Sequence, residues 1–131
     1  MGRVPTTQLR NAFNKCKNTD YAMVKFGATR DGTKDAFLMV RDGDVLTLEH
    51  YGTVIFQYNF NTRHMRYGGW SMTDRDNING MCYLLGLETR VYYSDYALYV
   101  VGTGPRSKKR AKSPMQEVNQ AFAEGKKNIR L

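Results

Sequence analysis

Apolar positions along this chain fall into two rhythms, and the rhythms divide it into elements. Leu9, Ala12, Phe13 and Cys16 recur at i, i+3, i+4 and i+7, the stripe of a helix. Pro5-Thr6-Thr7 ahead of them supplies caps, so a first helix is predicted from about Gln8 to Lys17. The rhythm then shortens. Tyr21 to Phe26 reads as a strand, Asp31-Gly32 interrupts, and Ala36 to Val40 is a second strand. Asp42-Gly43 is a tight-turn pair, so Val45 to His50 returns antiparallel. Tyr51-Gly52 marks a bend before Thr53 to Phe60, and Asn61-Thr62 turns the chain into a strand from His64 to Tyr67. Gly68-Gly69 ends the series, because glycine alone takes positive φ at little cost.

The helical rhythm comes back once more inside the body. Thr73-Asp74-Arg75-Asp76 reads as a capping pattern with Thr73 at the cap. Ile78, Met81, Cys82 and Leu85 form the core-facing stripe, and Gly86 ends the helix. Thr89 to Tyr93 and Tyr96 to Val101 form a closing hairpin around Ser94-Asp95. Further on, Ser113-Pro114 opens a short helix over 114–124, with Met115, Val118, Ala121 and Phe122 on one face. The fold class expected is α+β: a mostly antiparallel sheet of about six to seven strands, two packed helices, and a basic C-terminal linker with a short amphipathic helix.

Composition changes this picture in one respect. The 131 residues carry 20 Lys+Arg against 12 Asp+Glu, a formal net charge of +8, and 41% hydrophobic residues make enough core to exclude wholesale disorder. The charge is unevenly spread. Residues 1–101 hold 12 basic and 10 acidic side chains, while residues 102–131 hold 8 basic and 2 acidic, a net of +6. Gly102-Thr103-Gly104-Pro105 stops regular structure at the same place, so a compact domain over 1–101 and a basic tail over 102–131 are expected. No run approaches ~18 apolar residues, which excludes a spanning helix. No secretory leader is expected from Met1-Gly2-Arg3-Val4-Pro5, and two cysteines make no disulfide framework, which points to the cytoplasm.

One stretch carries a resemblance. Leu48-Glu49-His50-Tyr51-Gly52-Thr53-Val54-Ile55, then Gly68-Gly69-Trp70-Ser71-Met72-Thr73, then Arg75 and Asn79, resembles a group of small, mostly uncharacterised bacteriophage proteins. In that group a Y-G-T-x-I strand precedes a G-G-W/Y-x-T turn and a helix bearing Arg and Asn. The similarity covers about residues 45–101. It implies a phage-encoded cytoplasmic protein and brings no established activity.

Catalytic signatures are not evident. His50 and His64 are the neutral-pH proton carriers, and each reads as a strand histidine with an ordinary hydrogen bond. Cys16 and Cys82 sit on helix stripes and read as small core residues. Asp42, Asp44, Asp74 and Asp76 belong to turns and caps. The sequence holds no metal-ligand spacing, nucleophile elbow, phosphate loop or dinucleotide fingerprint. The chain is therefore read as a non-enzyme without cofactor or metal.

The functional expectation is binding. Arg106, Lys108, Lys109, Arg110, Lys112, Lys126 and Lys127 can neutralise phosphates through counterion release. Tyr93 and Tyr96 can stack bases, with Arg75 and Arg90 beside them. Tyr58, Tyr67, Tyr92 and Tyr99 lie on the same hairpins, and strand alternation sends half of these strand tyrosines into the core. A phosphate at the start of the second helix, helped by Arg75, would meet Asp74 and Asp76 in the same turn. The expected partner is nucleic acid, bound without sequence preference. The alternative is a phage protein that binds an acidic host protein or a nucleotide signal to counter host defence. Met115, Val118 and Phe122 would then fill a groove on that partner or on a second copy of the chain. No membrane partner is expected.

Overall fold

Short polar side chains start both helices. A computed structural model describes residues 6–27, 35–69, 71–87, 89–94, 97–101 and 128–130. Among these residues are two helices and eight strands: α1 (Thr7–Cys16), β1 (Tyr21–Phe26), β2 (Phe37–Asp42), β3 (Val45–His50), β4 (Thr53–Asn59), β5 (His64–Tyr67), α2 (Met72–Leu85), β6 (Arg90–Ser94), β7 (Ala97–Val101) and β8 (Asn128–Arg130). The Thr6 hydroxyl accepts from the Leu9 N–H and caps α1. The cap of α2 is Ser71, not Thr73: its backbone is extended and its Oγ accepts from the Asp74 N–H at 3.0 Å. The helix therefore begins two residues earlier than the Thr-x-x-Asp spacing implies, and Asp74 becomes the acid of the capping turn. Gly86, in the left-handed region at φ 74°, closes α2.

Six strands join in the order β1-β2-β3-β4-β5-β8, every neighbour pair antiparallel. The two-residue turn Tyr51-Gly52 has positive φ at both positions, the backbone that matches strand twist in a tight hairpin. Opposed residues share a face. One row runs Val24, Met39, Leu48, Phe56, Tyr67 and belongs to the core; the alternate row runs Met23, Val40, Thr47, Gln57, Arg66 on the outer face. There Gln57 donates to Thr47 Oγ1 (3.2 Å) and Arg66 Nη1 donates to Gln57 Oε1 (2.8 Å).

The two helices supply the rest of the core. Leu9, Ala12, Phe13 and Cys16 of α1 are buried, as are Ile78, Met81 and Cys82 of α2. Leu85, placed on the same stripe, is half-buried. The Cys82 thiol lies 3.8 Å from the Met65 sulfur of β5. Arg41 ties α1 down: its Nη1 donates to the Cys16 and Lys17 carbonyls, its Nε to Gly43 O, and its guanidinium lies 4.1 Å from the Phe60 ring centre. No described helix is long and apolar enough to cross a membrane.

Two expectations change. The β6–β7 hairpin forms a sheet of its own instead of closing the main one. The buried Asn79 side chain explains this: Nδ2 donates to Val91 O and Oδ1 accepts from Val91 N, both at 2.8 Å, so α2 occupies the bonding edge that another strand would need. Residues 128–130, expected to trail in the tail, form β8 on the edge of β5, with Asn128 opposite Arg66 and Arg130 opposite His64. The tail helix at 114–124 lies outside the described residues. Replacing Asn79→Leu strands two buried backbone groups, and denaturant unfolding should show a loss of about 3 kcal/mol.

Candidate functional site

At the end of β3 an imidazole meets a carboxylate. His50 Nδ1 lies 2.7 Å from Oδ1 of Asp74, which is only 4% exposed in the first turn of α2. A carboxylate oxygen accepts, so Nδ1 donates and the proton sits on that nitrogen. Ring packing fixes the imidazole plane: Phe37 stacks on it at 4.3 Å and 1°, and Tyr51 at 4.7 Å and 29°. Phe26 continues the column beyond Phe37 at 5.5 Å. His50 Nε2 makes no hydrogen bond among the described residues.

The backbone around this pair is specialised. Gly69 has φ 131°, and a Cβ there would come within 2.7 Å of Asp74 Oδ2, so the carboxylate can seat only against glycine. Tyr51 is a bulky residue held at φ 50°. A bulge shifts the β3–β4 register, with Glu49 opposite Val54 and Leu48 opposite Phe56, leaving Ile55 as the extra residue. Together His50, Tyr51, Thr53, Ile55, Ser71 and Asp74 line a cavity of about 240 Å³. A second hollow of about 260 Å³ lies on the outer sheet face, lined by Val45, Gln57, Asn59, Thr62, His64 and Arg66, where burial pulls the Arg66 guanidinium below its ordinary value.

Sequence reading missed the first cavity because its parts lie far apart. His50 appeared as a strand histidine and Asp74 as a cap acid. Asp74 stands one turn before Ile78 on the buried face of α2, and only the packing of that helix on the sheet brings it to His50. The one signal available was that Tyr51-Gly52-Thr53-Val54-Ile55 and Gly68-Gly69-Trp70-Ser71 were singled out as a pair of stretches. They meet at this cavity, though Trp70 itself lies outside the described residues.

The other residues named from sequence are dispersed. Arg75 donates to Asp76 Oδ1 through Nε (2.9 Å) and Nη2 (2.7 Å) near the start of α2. Arg90 Nη1 donates to the Leu87 and Thr89 carbonyls. Tyr93 is half-buried and packs against the core, while Tyr58 and Tyr67 are buried. Arg106, Lys108, Lys109, Arg110, Lys112, Lys126, Lys127, Tyr96, Met115, Val118 and Phe122 lie outside the described residues. Cys16 and Cys82 are fully buried free thiols; burial raises both, Cys82 from 9.0 to about 12.

The chain matches no protein-family model, and comparison with curated proteins and with solved structures found no match.

Two outcomes follow from this geometry. His50→Ala leaves the Asp74 carboxylate buried without its imidazole, and urea unfolding should lose about 3 kcal/mol. The Cys82 thiol holds its proton more tightly folded than unfolded, so its stabilising share is complete below pH 9.0 and is lost as pH rises toward about 12. Wild-type stability should therefore fall faster than that of Cys82→Ala over that window, by about 1.4 kcal/mol per pH unit.

Proposed function

We propose that the protein is a small, phage-type, cytoplasmic accessory factor that binds nucleic acid without sequence preference and performs no catalysis. The observation that carries this reading is where the basic segment rejoins the body. Residues 102–127 hold seven basic and two acidic side chains between β7, which ends at Val101, and β8, which begins at Asn128. β8 runs antiparallel to β5, with Asn128 opposite Arg66 and Arg130 opposite His64. Arg63 stands beside β5 and Arg66 on it, and with Arg130 of β8 they give this edge of the sheet three basic residues. Phosphates reward that concentration by releasing condensed counterions.

In fluorescence anisotropy with a labelled single-stranded oligonucleotide, log K should fall linearly with log salt. The full-chain variant K108Q/K109Q/R110Q/K112Q should flatten the slope by about 0.7 for each phosphate contact removed. Affinity that is absent, or indifferent to salt and to these substitutions, overturns the reading and favours a host protein or nucleotide signal as partner.

A further inference from the structure

The hollow of about 260 Å³ on the outer sheet face has side chains of one-sided polarity. Val45 of β3, Gln57 and Asn59 of β4, His64 and Arg66 of β5, and Thr62 between those two strands line it. Three of these side chains hold an oxygen acceptor, and each already accepts a hydrogen bond from the protein. Asn59 Oδ1 takes the Asn61 and Thr62 N–H groups at 2.8 and 2.9 Å. Gln57 Oε1 takes Arg66 Nη1 at 2.8 Å, and Thr62 Oγ1 takes the His64 N–H at 3.3 Å. With both lone pairs of its oxygen used on the turn, the Asn59 amide meets a further partner through its Nδ2 donor. Thr62 carries a hydroxyl proton, His64 a ring N–H, and Arg66 a guanidinium with five N–H groups and no acceptor. Gln57 is itself held, donating to Thr47 Oγ1 at 3.2 Å, so the bond it accepts orients the Arg66 fork before any ligand arrives.

Charge runs the same way. No carboxylate is among the described residues that line the hollow; Asp42, paired with Val45, and Asp44 are exposed. Arg63 precedes His64 in the chain, and Arg130 of β8 is paired with it. Burial disfavours the Arg66 charge, a cost that an anion beside it offsets. We propose that this hollow binds a phosphate group, with Arg66 supplying charge and Asn59, Thr62 and His64 supplying hydrogen-bond donors. Ionised phosphate oxygens accept, which complements side chains whose own oxygens are already engaged. The hollow falls below the ~300 Å³ at which drug-sized pockets begin, which suits one phosphate better than a whole cofactor. The phosphate belongs to a nucleic-acid strand, where the site adds one fixed contact to the proposed function, or to a free phosphorylated small molecule. Recognition is the same in both, and the site stands without the basic tail.

The test titrates inorganic phosphate into the full chain at neutral pH and fixed ionic strength, following the side-chain N–H signals of Asn59 and Arg66 by NMR. Both signals should shift and saturate together, and chloride at the same ionic strength should leave them in place. Asn59→Asp keeps an oxygen for the turn and puts a carboxylate oxygen where the donor was. Read at Arg66, its half-saturation concentration should rise about tenfold, as loss of a bond to a charged group implies. Arg66→Gln, read at Asn59, should weaken binding to a similar degree and decides if Asn59→Asp fails to fold. Shifts that do not saturate, that chloride reproduces, or that both variants leave unchanged overturn the site. A labelled single strand then separates the sources. A salt slope flattened by about 0.7 in either variant places the phosphate on the strand. An unchanged slope, with inorganic phosphate still bound by wild type, assigns the site to a free phosphorylated molecule. Failure of the strand to bind at all overturns the nucleic-acid reading and leaves the phosphate titration to judge the site.

Discussion

An antiparallel sheet with apolar residues on alternate positions has one face that must be covered, and the rest of this molecule is arranged around that need. Two helices cover it, and a polar clamp at each end of the sheet sets where they lie. At one end Arg41 reaches from β2 to the final carbonyls of α1; at the other His50 reaches from β3 to the first turn of α2. Between the clamps the contacts are apolar and non-directional, supplied by residues such as Phe13, Met39, Leu48, Phe56, Ile78 and Met81. Burial drives the assembly together, and the directional bonds decide which arrangement is reached.

The second clamp constrains far more than its own two residues. Burying Asp74 requires Gly69 at the point of closest approach, Ser71 as the cap, and a flat histidine held by Phe37 and Tyr51. At the β4 bulge the Ile55 carbonyl accepts from the Gly68 N–H at 2.9 Å. Segments that look like a turn, a bulge, a glycine pair and a helix start are therefore parts of one small structure. At its centre an imidazole is held between a buried carboxylate and two aromatic rings.

Edges are handled by two different devices. On β6 a single amide, Asn79, meets both the N–H and the C=O of Val91 and so imitates a neighbouring strand. On β5 the return of the chain as β8 does the same with backbone. Both remove bonding capacity that would otherwise invite another chain. The second also sets Arg130 opposite His64.

What the sequence determined by itself is local: the α1 stripe of Leu9, Ala12, Phe13 and Cys16, strands β1 and β3 at their observed bounds, the glycine stop at Gly86, and the α+β class. These depend on side-chain periodicity and on backbone preferences within a few residues, which a linear reading can see. Tertiary structure decided the choice of Ser71 over Thr73 as cap, the partnership of His50 with Asp74, the separation of the β6–β7 hairpin, and the pairing of β8 with β5. Each couples positions far apart in the chain, or turns on which of two nearby hydroxyls accepts the capping bond. Asp74 stands one turn before Ile78 on the buried stripe of α2, but the imidazole that meets it lies on β3, brought there only by the packing of helix on sheet.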